Sequence, residues 1–418
     1  MRAGEVKPAE IQDMENKYIN IKWYDVEALK KDPAKNYGRC YRQCAVSVMD
    51  TIADPAISFD GKGICNYYYE YKDAENTQVF KGDAGVKQLQ ASIREIKQAG
   101  IGKEYDCILG LSGGADSSYL AYLAKQEGLR PLVVHFDYGW NLELAVQNIE
   151  NIIKRLNFNL YTIVMDWEEM RSLQRSYYRS SVLDLDVPAD HMIFGALYQT
   201  AHKFGIKHIL SGKNTVTEAI LPKAWNYNKF DLVNLRNIHK SFENGTLKKL
   251  PALGVWQFGK YTAIDKIRTT ELLNFIDYNK EDVKTLLAKE LKWRDYGGKH
   301  YENIFTRFYQ GYLLPVKFGI DKRKAHLSNL IFSGQLTKEE ALDELRQTPY
   351  ETPQALQDLE YVGKKLGFSG EEFIQLINQP NRKHEEFGTD AAQRRLYWKI
   401  INNISPITRL FRSLKIRS

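Results

Sequence analysis

The sequence predicts an α/β protein with a doubly wound parallel sheet. Short apolar runs alternate with amphipathic stretches of helical spacing between about residues 86 and 210. A Gly-rich turn follows the first of these runs, at 112–118. Strands that alternate with helices form a parallel sheet covered on both faces. We expect a cysteine-containing segment before this sheet and a mostly helical part from about residue 265 onward.

Each element of the sheet is predicted from its own pattern. Short runs rich in apolar residues, bounded by charged or Gly-containing turns, are typical of buried strands. The longer stretches between them show apolar residues at helical spacing. The predicted strands are 105–111, 131–136, 160–165 and 207–210, and the predicted helices are 86–98, 116–126, 142–156, 167–178 and 191–204.

Composition excludes several classes of protein. The chain has 418 residues, of which 43% are hydrophobic, so a sizeable core can form. No apolar run approaches the ~18 residues that span a bilayer, and the first residues lack the apolar segment of a secretory signal. We therefore expect a cytoplasmic protein. Its four cysteines do not make a disulfide framework. The net charge of +7 suits either anionic small molecules or nucleic acid.

The Gly-rich turn at 112–118 carries the strongest functional signal. It stands between a predicted strand and a predicted helix, where free backbone N–H groups and the helix dipole attract an anion. Gly113 and Gly114 let the backbone approach an oxyanion closely, and Asp116 is placed to cap the helix or to help hold magnesium. A simple capped Gly turn is the alternative. The turn is not the Gly-x-x-x-x-Gly-Lys-Ser/Thr phosphate loop, because no Gly-Lys in this chain is followed by Ser or Thr.

Two further polar turns are predicted at the same edge of the sheet. Asp137 follows the second strand, where it is placed to bind a ribose or a base, and Trp140 is placed to stack on a ring. The alternative is that Asn141 caps a helix and Trp140 belongs to the core. Three polar turns on one edge indicate a ligand site more strongly than any single turn. The turn after the fourth strand contains Gly212, Asn214 and Glu218.

The stretch 296–327 is unusually dense in cations, His and aromatic side chains. Basic groups beside aromatic rings suit a phosphorylated sugar. The alternative is that these residues only brace a helical domain, with their charges on a solvated face. The predicted binding residues of this stretch are Lys299, His300, Arg307, Gln310, Lys317, Lys322, Arg323 and His326.

Three of the four cysteines, Cys40, Cys44 and Cys65, lie before the sheet. A structural zinc site uses two close cysteine pairs, and the second pair is missing here. Cys107 lies in a predicted strand and is expected to be a small buried hydrophobe. These residues alone make a weak case for a metal site.

Together the motifs resemble a known family. Ser-Gly-Gly-x-Asp-Ser after a strand resembles the PP-loop signature of the ATP pyrophosphatases. From about residue 48 to about residue 345, the chain is similar to the N-acetyl sugar amidotransferases, a branch of that superfamily. The segment 298–328 separates this branch from other PP-loop enzymes. The matching stretches are 48–51, 57–60, 112–118, 137–141, 166–169, 211–214, 217–218 and 298–328.

The resemblance implies a sheet of the PP-loop, adenine nucleotide α hydrolase-like type and a division of the chain. Ser47 and Tyr68 stand where the family has cysteines, so we expect no tightly bound structural zinc. Tyr138 is a further departure, since the family often has Asn there. The implied parts are an N-terminal extension (1–36), a degenerate cysteine knuckle (37–75), a PP-loop ATP-binding domain (76–264), a helical substrate or partner domain (265–390) and a basic tail (391–418).

The activity implied by the resemblance is amidine formation. ATP with Mg²⁺ would adenylate the acetamido oxygen of a nucleotide-linked N-acetyl amino sugar, such as a UDP-sugar, and ammonia would then displace AMP. The product would serve surface polysaccharide (O-antigen) or nonulosonic acid synthesis. No cysteine stands in a recognisable glutaminase setting, so ammonia is expected from a separate glutaminase and cyclase-like pair. The alternatives are a PP-loop tRNA-modifying thiolase or lysidine-type ligase, and a non-catalytic nucleotide-binding scaffold.

The residues and the resemblance together assign roles to individual side chains. The predicted catalytic residues are Asp116, Lys299, His300, Lys322 and Arg323. The predicted ATP ligands are Ser112, Gly113, Gly114, Asp116, Ser117, Ser118, Asp137, Gly212, Asn214 and Glu218. The predicted substrate ligands are Trp140, Asn141, Arg307, Gln310, Lys317 and His326.

Overall fold

The computed structural model describes residues 26–32, 34, 36–297 and 301–404. It contains a five-stranded parallel sheet with helices on both faces, so the predicted fold class is confirmed. The strands are β1 (Cys107–Gly110), β2 (Pro131–Asp137), β3 (Asn159–Val164), β4 (His208–Leu210) and β5 (Arg268–Thr270).

Helices make up most of the rest of the chain. Those before and within the sheet region are α1 (Val26–Lys31), α2 (Asn66–Gln78), α3 (Gly82–Ala99), α4 (Ala115–Gln126), α5 (Glu143–Leu156), α6 (Trp167–Ser180), α7 (Val187–Lys203), α8 (Thr215–Glu218), α9 (Leu232–Phe242), α10 (Val255–Gly259) and α11 (Lys280–Leu291). Those that follow are α12 (Ile304–Phe308), α13 (Arg323–Phe332), α14 (Lys338–Arg346), α15 (Thr352–Leu366), α16 (Gly370–Asn378) and α17 (Ala391–Ile404).

Two of these helices continue as π-helix. α10 runs on through Lys260–Ile264, and α12 runs on through Tyr309–Phe318. Pro315 lies inside the second π-helical segment, where its missing N–H group disfavours a regular α-helix. Short 3-10 helices occupy Lys223–Trp225, Leu272–Phe275 and His384–Phe387.

The strand order explains where a ligand can bind. The strands lie in the order β3-β2-β1-β4-β5, so the direction of winding reverses between β1 and β4. In open parallel sheets, ligands bind beyond the carboxyl ends of the strands at such a reversal point. The turns that follow β1 and β4 therefore face one crevice.

Alternation along the strands supplies a core on each face of the sheet. Leu109 and Val133 pack in one cluster with α3, α4, α5 and α11. Ile108, Leu132 and Val134 point the other way and pack with residues of α7 and α10. All nine predicted strands and helices of this region are found, with ends shifted by four residues at most.

The fifth strand was not predicted. β5 is a short Arg-Thr-Thr segment that is mostly exposed, so it has no apolar run from which a strand could be predicted. It pairs with β4 and lies beyond residue 264, the predicted end of the ATP-binding domain. The proposed division of the chain into five parts stays a prediction.

The cysteine segment packs against the helical part of the chain. Its two turns are closed by isolated antiparallel bridges, between Gln43 and Asp50 and between Phe59 and Cys65. Lys324 of α13 donates to Asp50 at 2.6 Å, and both side chains are buried. This ion pair joins two stretches that the sequence resemblance had singled out separately. In the part of the chain that the structure describes, no helix has the length and apolar character needed to cross a bilayer.

Candidate functional site

The turn after β1 is built around Gly113. Its φ of +87° lies in the left-handed region, and a Cβ there would stand 3.0 Å from the Ala145 carbonyl oxygen. The Gly113 carbonyl accepts hydrogen bonds from the Trp293 indole, at 2.8 Å, and from the Tyr296 hydroxyl. These contacts fix the peptide that leads into α4. The first N–H groups of that helix have no intrahelical acceptor and are available to an anion.

The turn after β4 lies directly on the start of α4. A Cβ on Gly212 would stand 3.0 Å from the Ser117 backbone nitrogen. The Asn214 amide reaches the Asp116 carboxylate at 3.4 Å, while the Asn214 carbonyl oxygen caps α8. The predicted ATP ligands at 112–118 and 211–214 are therefore brought together at the reversal point of the sheet.

The three serines of the first turn differ in their surroundings. The Ser112 and Ser117 hydroxyls lie 3.2 Å apart on the accessible side. Ser118 is fully buried, and its hydroxyl donates to the Gly114 carbonyl at 2.7 Å. Ser118 thus holds the shape of the turn, and Ser112 and Ser117 are the hydroxyls that face outward.

Two carboxylates stand beside this turn. Asp116 accepts a hydrogen bond from the Tyr278 hydroxyl. The pKa of Tyr278 is raised by burial, then by the charge of Asp116, and further by the charge of Glu218. The two carboxylates therefore flank the same phenol. Mg²⁺ in nucleotide sites is commonly held by one or two carboxylates together with substrate phosphates, so this donor set fits magnesium. Within the described ranges, no cluster of three or more His, Cys, Asp and Glu side chains is placed to hold a metal.

The end of β2 carries a hydrogen-bonded network. Asp137 accepts from the Gly139 N–H at 2.9 Å and from the Asn141 amide at 3.2 Å. The same amide lies 3.2 Å from His135 Nε2, and His135 Nδ1 lies 3.1 Å from the Leu111 carbonyl oxygen. A neutral His135 protonated at Nδ1 satisfies both contacts, and burial lowers the pKa of this side chain. The network ties the end of β2 to the end of β1.

Trp140 is buried in the core, whereas Asn141 belongs to the polar network at the end of β2. Trp140 is 1% exposed, packs against Trp167 and Phe305, and donates from its indole to Gln174 at 2.9 Å. This is the core position that the sequence allowed as the alternative to ring stacking. Asn141 does not cap α5, because Leu142 occupies the N-cap position; that alternative is wrong.

The C-terminal part of the chain reaches the phosphate turn through residues 302–304. The Leu142 N–H donates to the Glu302 carbonyl and the Ile304 N–H donates to the Trp140 carbonyl, both at 3.0 Å. A Cβ on Gly114 would lie 3.9 Å from Glu302 Oε1. Glu302 therefore stands over the turn that follows β1.

A buried group of charges lies at the same edge. Because α7 leads into β4 and runs antiparallel to it, the first residues of α7 lie at the carboxyl ends of the strands. Asp186, just before α7, accepts from the Gln310 amide at 2.9 Å and from the Thr306 hydroxyl at 3.2 Å. Burial raises the pKa of Asp186, and the charge of Lys322 opposes that rise.

Asp184, a second carboxylate of this buried group, forms an ion pair with Lys229. Lys229 donates to both oxygens of Asp184 at 2.7 Å and lies 3.1 Å from Asp190. Burial raises the pKa of Asp184 and the Lys229 and Lys322 ammonium groups lower it, with a net lowering. Of the predicted residues in the basic stretch, Gln310 and Lys322 are thus brought to this edge of the sheet. We call Asp184, Asp186, Asp190, Lys229 and Lys322 the charged cluster.

Other predicted residues of the basic stretch have partners within the helical part. Arg307 donates to the Asp358 carboxylate at 2.8 and 3.0 Å, and the Arg323 guanidinium contacts Asp321. Lys317 donates to the Ile377 and Gln379 carbonyls at the end of α16, and burial lowers its pKa to about 8. The Lys280 ammonium lies 2.9 Å from His326 Nε2. These are bracing contacts. Lys299 and His300 lie outside the described residues.

Sequence reasoning missed several residues of this edge. Asp184, Asp186 and Asp190 precede or begin a predicted helix with a spacing that suggested no motif. Tyr278 lies in a region predicted only as helical, and His135 is a lone histidine inside a strand. Of these residues, only the aspartates could have been found from the sequence, because three carboxylates occur within seven residues.

The cysteine segment brings Cys44 and Cys65 together. The Cys65 N–H donates to Cys44 Sγ at 3.2 Å, and the Ser47 hydroxyl lies 3.9 Å from Cys65 Sγ. The hydrogen bond with Cys65 lowers the pKa of the Cys44 thiol. Ser47 thus stands where a third sulfur ligand would be needed. The expected lack of tightly bound zinc stays a prediction, which elemental analysis of the purified protein tests.

The fold and this edge define a class of protein: a nucleotide-binding α/β protein with a Gly-rich phosphate turn at the reversal point of its sheet. Residues 106–222 match the family described as queuosine biosynthesis protein QueC. Residues 302–405 match the family described as LPS biosynthesis protein WbpG-like, C-terminal domain. These two matches support the resemblance to the PP-loop ATP pyrophosphatases, with a QueC-like middle and a WbpG-like C-terminal part.

Curated relatives match over short stretches. The tRNA(Ile)-lysidine synthase of Chlamydia felis (strain Fe/C-56) is 39% identical over 59 residues, which is 14% of this chain and 18% of that protein. The tRNA(Ile)-lysidine synthase of Chlamydia pneumoniae is 35% identical over 71 residues, or 16% of this chain and 22% of that protein. The chain thus spans about a fifth of the length of the curated relatives it matches.

Solved structures are similar at a low level. The NH3-dependent NAD synthetase from Campylobacter jejuni, in complex with a nitrate ion, is 14% identical, with a TM-score of 0.28 over 50% of this chain and 84% of that chain. The NMN synthetase from Francisella tularensis is 13% identical, with a TM-score of 0.29 over 69% and 98%.

Proposed function

We propose that this protein is an ATP-dependent amidotransferase that converts the acetamido group of a nucleotide-linked N-acetyl amino sugar into an acetamidino group. The observation that carries the proposal is the meeting of its two matched regions. The WbpG-like match begins at Glu302, against the phosphate turn of the QueC-like region. It contributes Lys322 to the charged cluster and Gln310 as a hydrogen-bond donor to Asp186. These contacts support the proposal because they bring groups of a domain described by LPS biosynthesis to the edge of the sheet that carries the phosphate turn.

The first half of the reaction is adenylation. The acetamido oxygen attacks the α-phosphorus of ATP, an O–P bond forms, and pyrophosphate leaves. The N–H groups at the start of α4 and the Ser112 and Ser117 hydroxyls hold the phosphates. Asp116 and Glu218 are the residues that would hold Mg²⁺, which neutralises phosphate charge when it is bound.

The second half replaces oxygen by nitrogen. Ammonia attacks the activated carbon, a C–N bond forms, and AMP leaves with the former acetamido oxygen. The attacking nitrogen must lose a proton, and Asp186 is our candidate for its acceptor. The raised pKa of Asp186 makes it a stronger base than an exposed aspartate. Lys322, near Asp186, opposes the negative charge that the leaving group brings.

Ammonia comes from a partner in this proposal. Cys44, Cys65 and Cys107 are buried and Cys40 is exposed, and in the described part of the chain no cysteine has a hydrogen bond to a His or carboxylate side chain, as a glutaminase nucleophile would. We therefore expect the pure chain to use high concentrations of ammonium, and to use glutamine only when a glutaminase subunit is added. Glutamine-driven turnover by the pure chain would refute this part of the proposal.

The deciding experiment measures pyrophosphate release from ATP with ammonium and one of three additions: UDP-linked N-acetylated sugars, tRNA, or buffer. The proposal expects release that depends on a sugar nucleotide and a product with nitrogen in place of the acetamido oxygen by mass spectrometry. Release that depends on tRNA would establish the tRNA-modifying alternative, which the short matches to lysidine synthases favour. No release with any addition would favour a non-catalytic scaffold.

A further inference from the structure

β3 is an edge strand with one bare face. It is the outermost strand of the sheet, with β2 on one side and, among the described residues, no strand on the other. Tyr161 and Ile163 pack against the core that α7 and α10 cover. The side chains that alternate with them, those of Leu160, Thr162 and Val164, are exposed, Leu160 by 40% and Val164 by 71%. Parallel sheets are normally covered on both faces, so this bare face points to a missing partner.

The sequence of β3 has none of the features that normally prevent an edge strand from pairing. Natural edge strands are protected by charged side chains, proline or bulges. Residues 159–164 read Asn-Leu-Tyr-Thr-Ile-Val, without charge, proline or glycine. All six residues of the strand pair with β2 in one unbroken register. A neutral, regular strand of this length is a surface to which another strand can be added.

The pairing with β2 determines which backbone groups of β3 face outward. The Met165 N–H donates to the Asp137 carbonyl of β2 at 2.9 Å. Because backbone groups alternate in direction along a strand, every second residue of β3 bonds to β2. The N–H and C=O groups of Leu160, Thr162 and Val164 therefore face outward. In the part of the chain that the structure describes, these three residues make no backbone hydrogen bond to a further segment.

A second copy of β3 fits this edge in one antiparallel register. With Thr162 opposite Thr162 of the second copy, Leu160 lies opposite Val164 on both sides of the two-fold axis. All three outward-facing residues of each strand then form hydrogen-bonded pairs, whereas any other register leaves at least one of them without a partner. The same register brings the exposed aliphatic side chains together and sets threonine beside threonine, which are favourable cross-strand pairs.

The charges of α5 suit the same arrangement. Leu160 is in register with Val133, whose side chain belongs to the core that α5 covers, so the bare face of β3 lies on the side of α5. The two-fold axis is perpendicular to the sheet, so α5 of each copy lies on this face and runs in the opposite direction. Glu143 and Glu150 lie in the first part of α5, and Lys154 lies in its last turn. Unlike charges of the two helices therefore come opposite each other.

We propose that the protein forms a homodimer in which the β3 strands of two copies pair antiparallel and join the two five-stranded sheets into one. The outward-facing backbone groups, the bare side chains and the charges of α5 all fit a second copy of this chain. A strand of a different protein would use the backbone groups, but a second copy also brings the complementary charges. β1 lies two strands away from this edge, so the pairing leaves the phosphate turn open.

Sedimentation velocity of the full chain over a range of concentrations tests the dimer. We expect the wild type to sediment as a dimer that dissociates on dilution. Val164→Lys places a lysine on each of the two edges that must pair, so the dissociation constant of the dimer should rise about tenfold or more. Val86→Lys changes an exposed valine of α3 in the same way and should leave the dimer unchanged. Circular dichroism checks that both variants are folded.

A cysteine at the two-fold axis tests the register, in a Cys40→Ser background that removes the exposed native thiol. In a hydrogen-bonded antiparallel pair the two Cα atoms are about 5.5 Å apart, which a disulfide can bridge. Thr162→Cys should therefore form a disulfide-linked dimer with diamide as oxidant, visible on a non-reducing gel. Asn159→Cys would place the two thiols about 20 Å apart and should stay unlinked.

Three results would overturn the proposal. The first is a wild type that stays monomeric at every concentration; slow deuterium exchange of the Leu160, Thr162 and Val164 amides in that monomer would show that another part of this chain covers the edge. The second is a dimer that Val164→Lys leaves intact, which would place the interface elsewhere. The third is equal cross-linking of Thr162→Cys and Asn159→Cys, which would mean association without the proposed register.

Discussion

The phosphate turn at 112–118 and the basic stretch at 301–326 were both singled out by sequence, but their polar groups are arranged in opposite ways. In the turn, serine hydroxyls and backbone groups bond to one another within a few residues. In the basic stretch, two cations have partners far along the chain: Arg307 pairs with Asp358, and Lys324 pairs with Asp50. A turn whose contacts are local can be predicted from the sequence. For a stretch of cationic side chains, the sequence alone does not reveal which of them form ion pairs with distant residues.

The largest expected effect is at the turn itself. Gly114→Val places a branched side chain where a Cβ already lies 3.3 Å from Ser112 Oγ and 3.9 Å from Glu302 Oε1, within the space proposed for phosphate. We expect pyrophosphate release to fall at least a thousandfold, since positioning and electrostatic stabilisation at this turn would supply several kcal/mol. Gly61→Val, at a glycine with open space around it, is the matched control. A folded Gly114→Val variant with full activity would show that the turn does not bind the phosphates.

Asp186→Asn comes next, and it tests whether the charged cluster belongs to the chemistry. Loss of a proton acceptor should lower kcat by about 10²–10⁴ and leave the KM for ATP nearly unchanged. Because burial raises the pKa of Asp186 and it must be ionised to act, the wild-type rate should fall in acid from a higher pH than an exposed aspartate would give. That acid limb should disappear in the variant.

The control for this variant is Asp190→Asn. Asp190 is 40% exposed and shares Lys229 with Asp184, so its loss leaves a paired lysine. We expect a small effect on kcat. If Asp186→Asn instead lowers the melting temperature while kcat and its pH profile stay as in the wild type, Asp186 only fixes the start of α7.

Fold and site differ in how far the sequence predicted them. The nine predicted strands and helices depend on local periodicity, and each lies where its pattern indicates. The phosphate turn was predictable because Gly113 needs its left-handed φ for a local reason. Asp186 was not predictable, because its role depends on Gln310, which lies 124 residues away. The same holds for Trp140, whose burial depends on Phe305 and Gln174.

The pair Lys322→Ala and Arg307→Ala sharpens the comparison within the basic stretch. Lys322 lies near Asp184 and Asp186, so its loss should raise the KM for the sugar nucleotide about tenfold and also lower kcat, because it opposes the charge of the leaving group. Arg307 is largely buried with Asp358, so its loss leaves a buried carboxylate without its cation, held only by Tyr350 and Gln354, and should cost about 3 kcal/mol of stability. Urea unfolding and the KM values for sugar and ATP check both. A raised sugar KM in a stable Arg307→Ala variant would instead place Arg307 in the binding site.

The smallest effect is expected from His135, which joins the ends of β1 and β2. Burial lowers its pKa in the folded protein, so the unfolded chain binds a proton more readily. The unfolded state then takes up more protons as the pH falls below about 6.5, the ordinary value for histidine. The stabilisation is therefore fully present above that pH and declines as the pH falls toward the pKa of His135 in the folded protein.

Urea unfolding between pH 7.5 and 5 should show this loss of stability, and the variant His135→Asn should show a smaller loss. ATP affinity should fall only at a lower pH, near the lowered pKa of His135 in the folded protein, because a protonated His135 cannot accept the Asn141 amide at Nε2 while donating to the Leu111 carbonyl. If stability falls with acid equally in the variant, the network at the end of β2 does not depend on a neutral His135, and the phosphate turn keeps its shape without it.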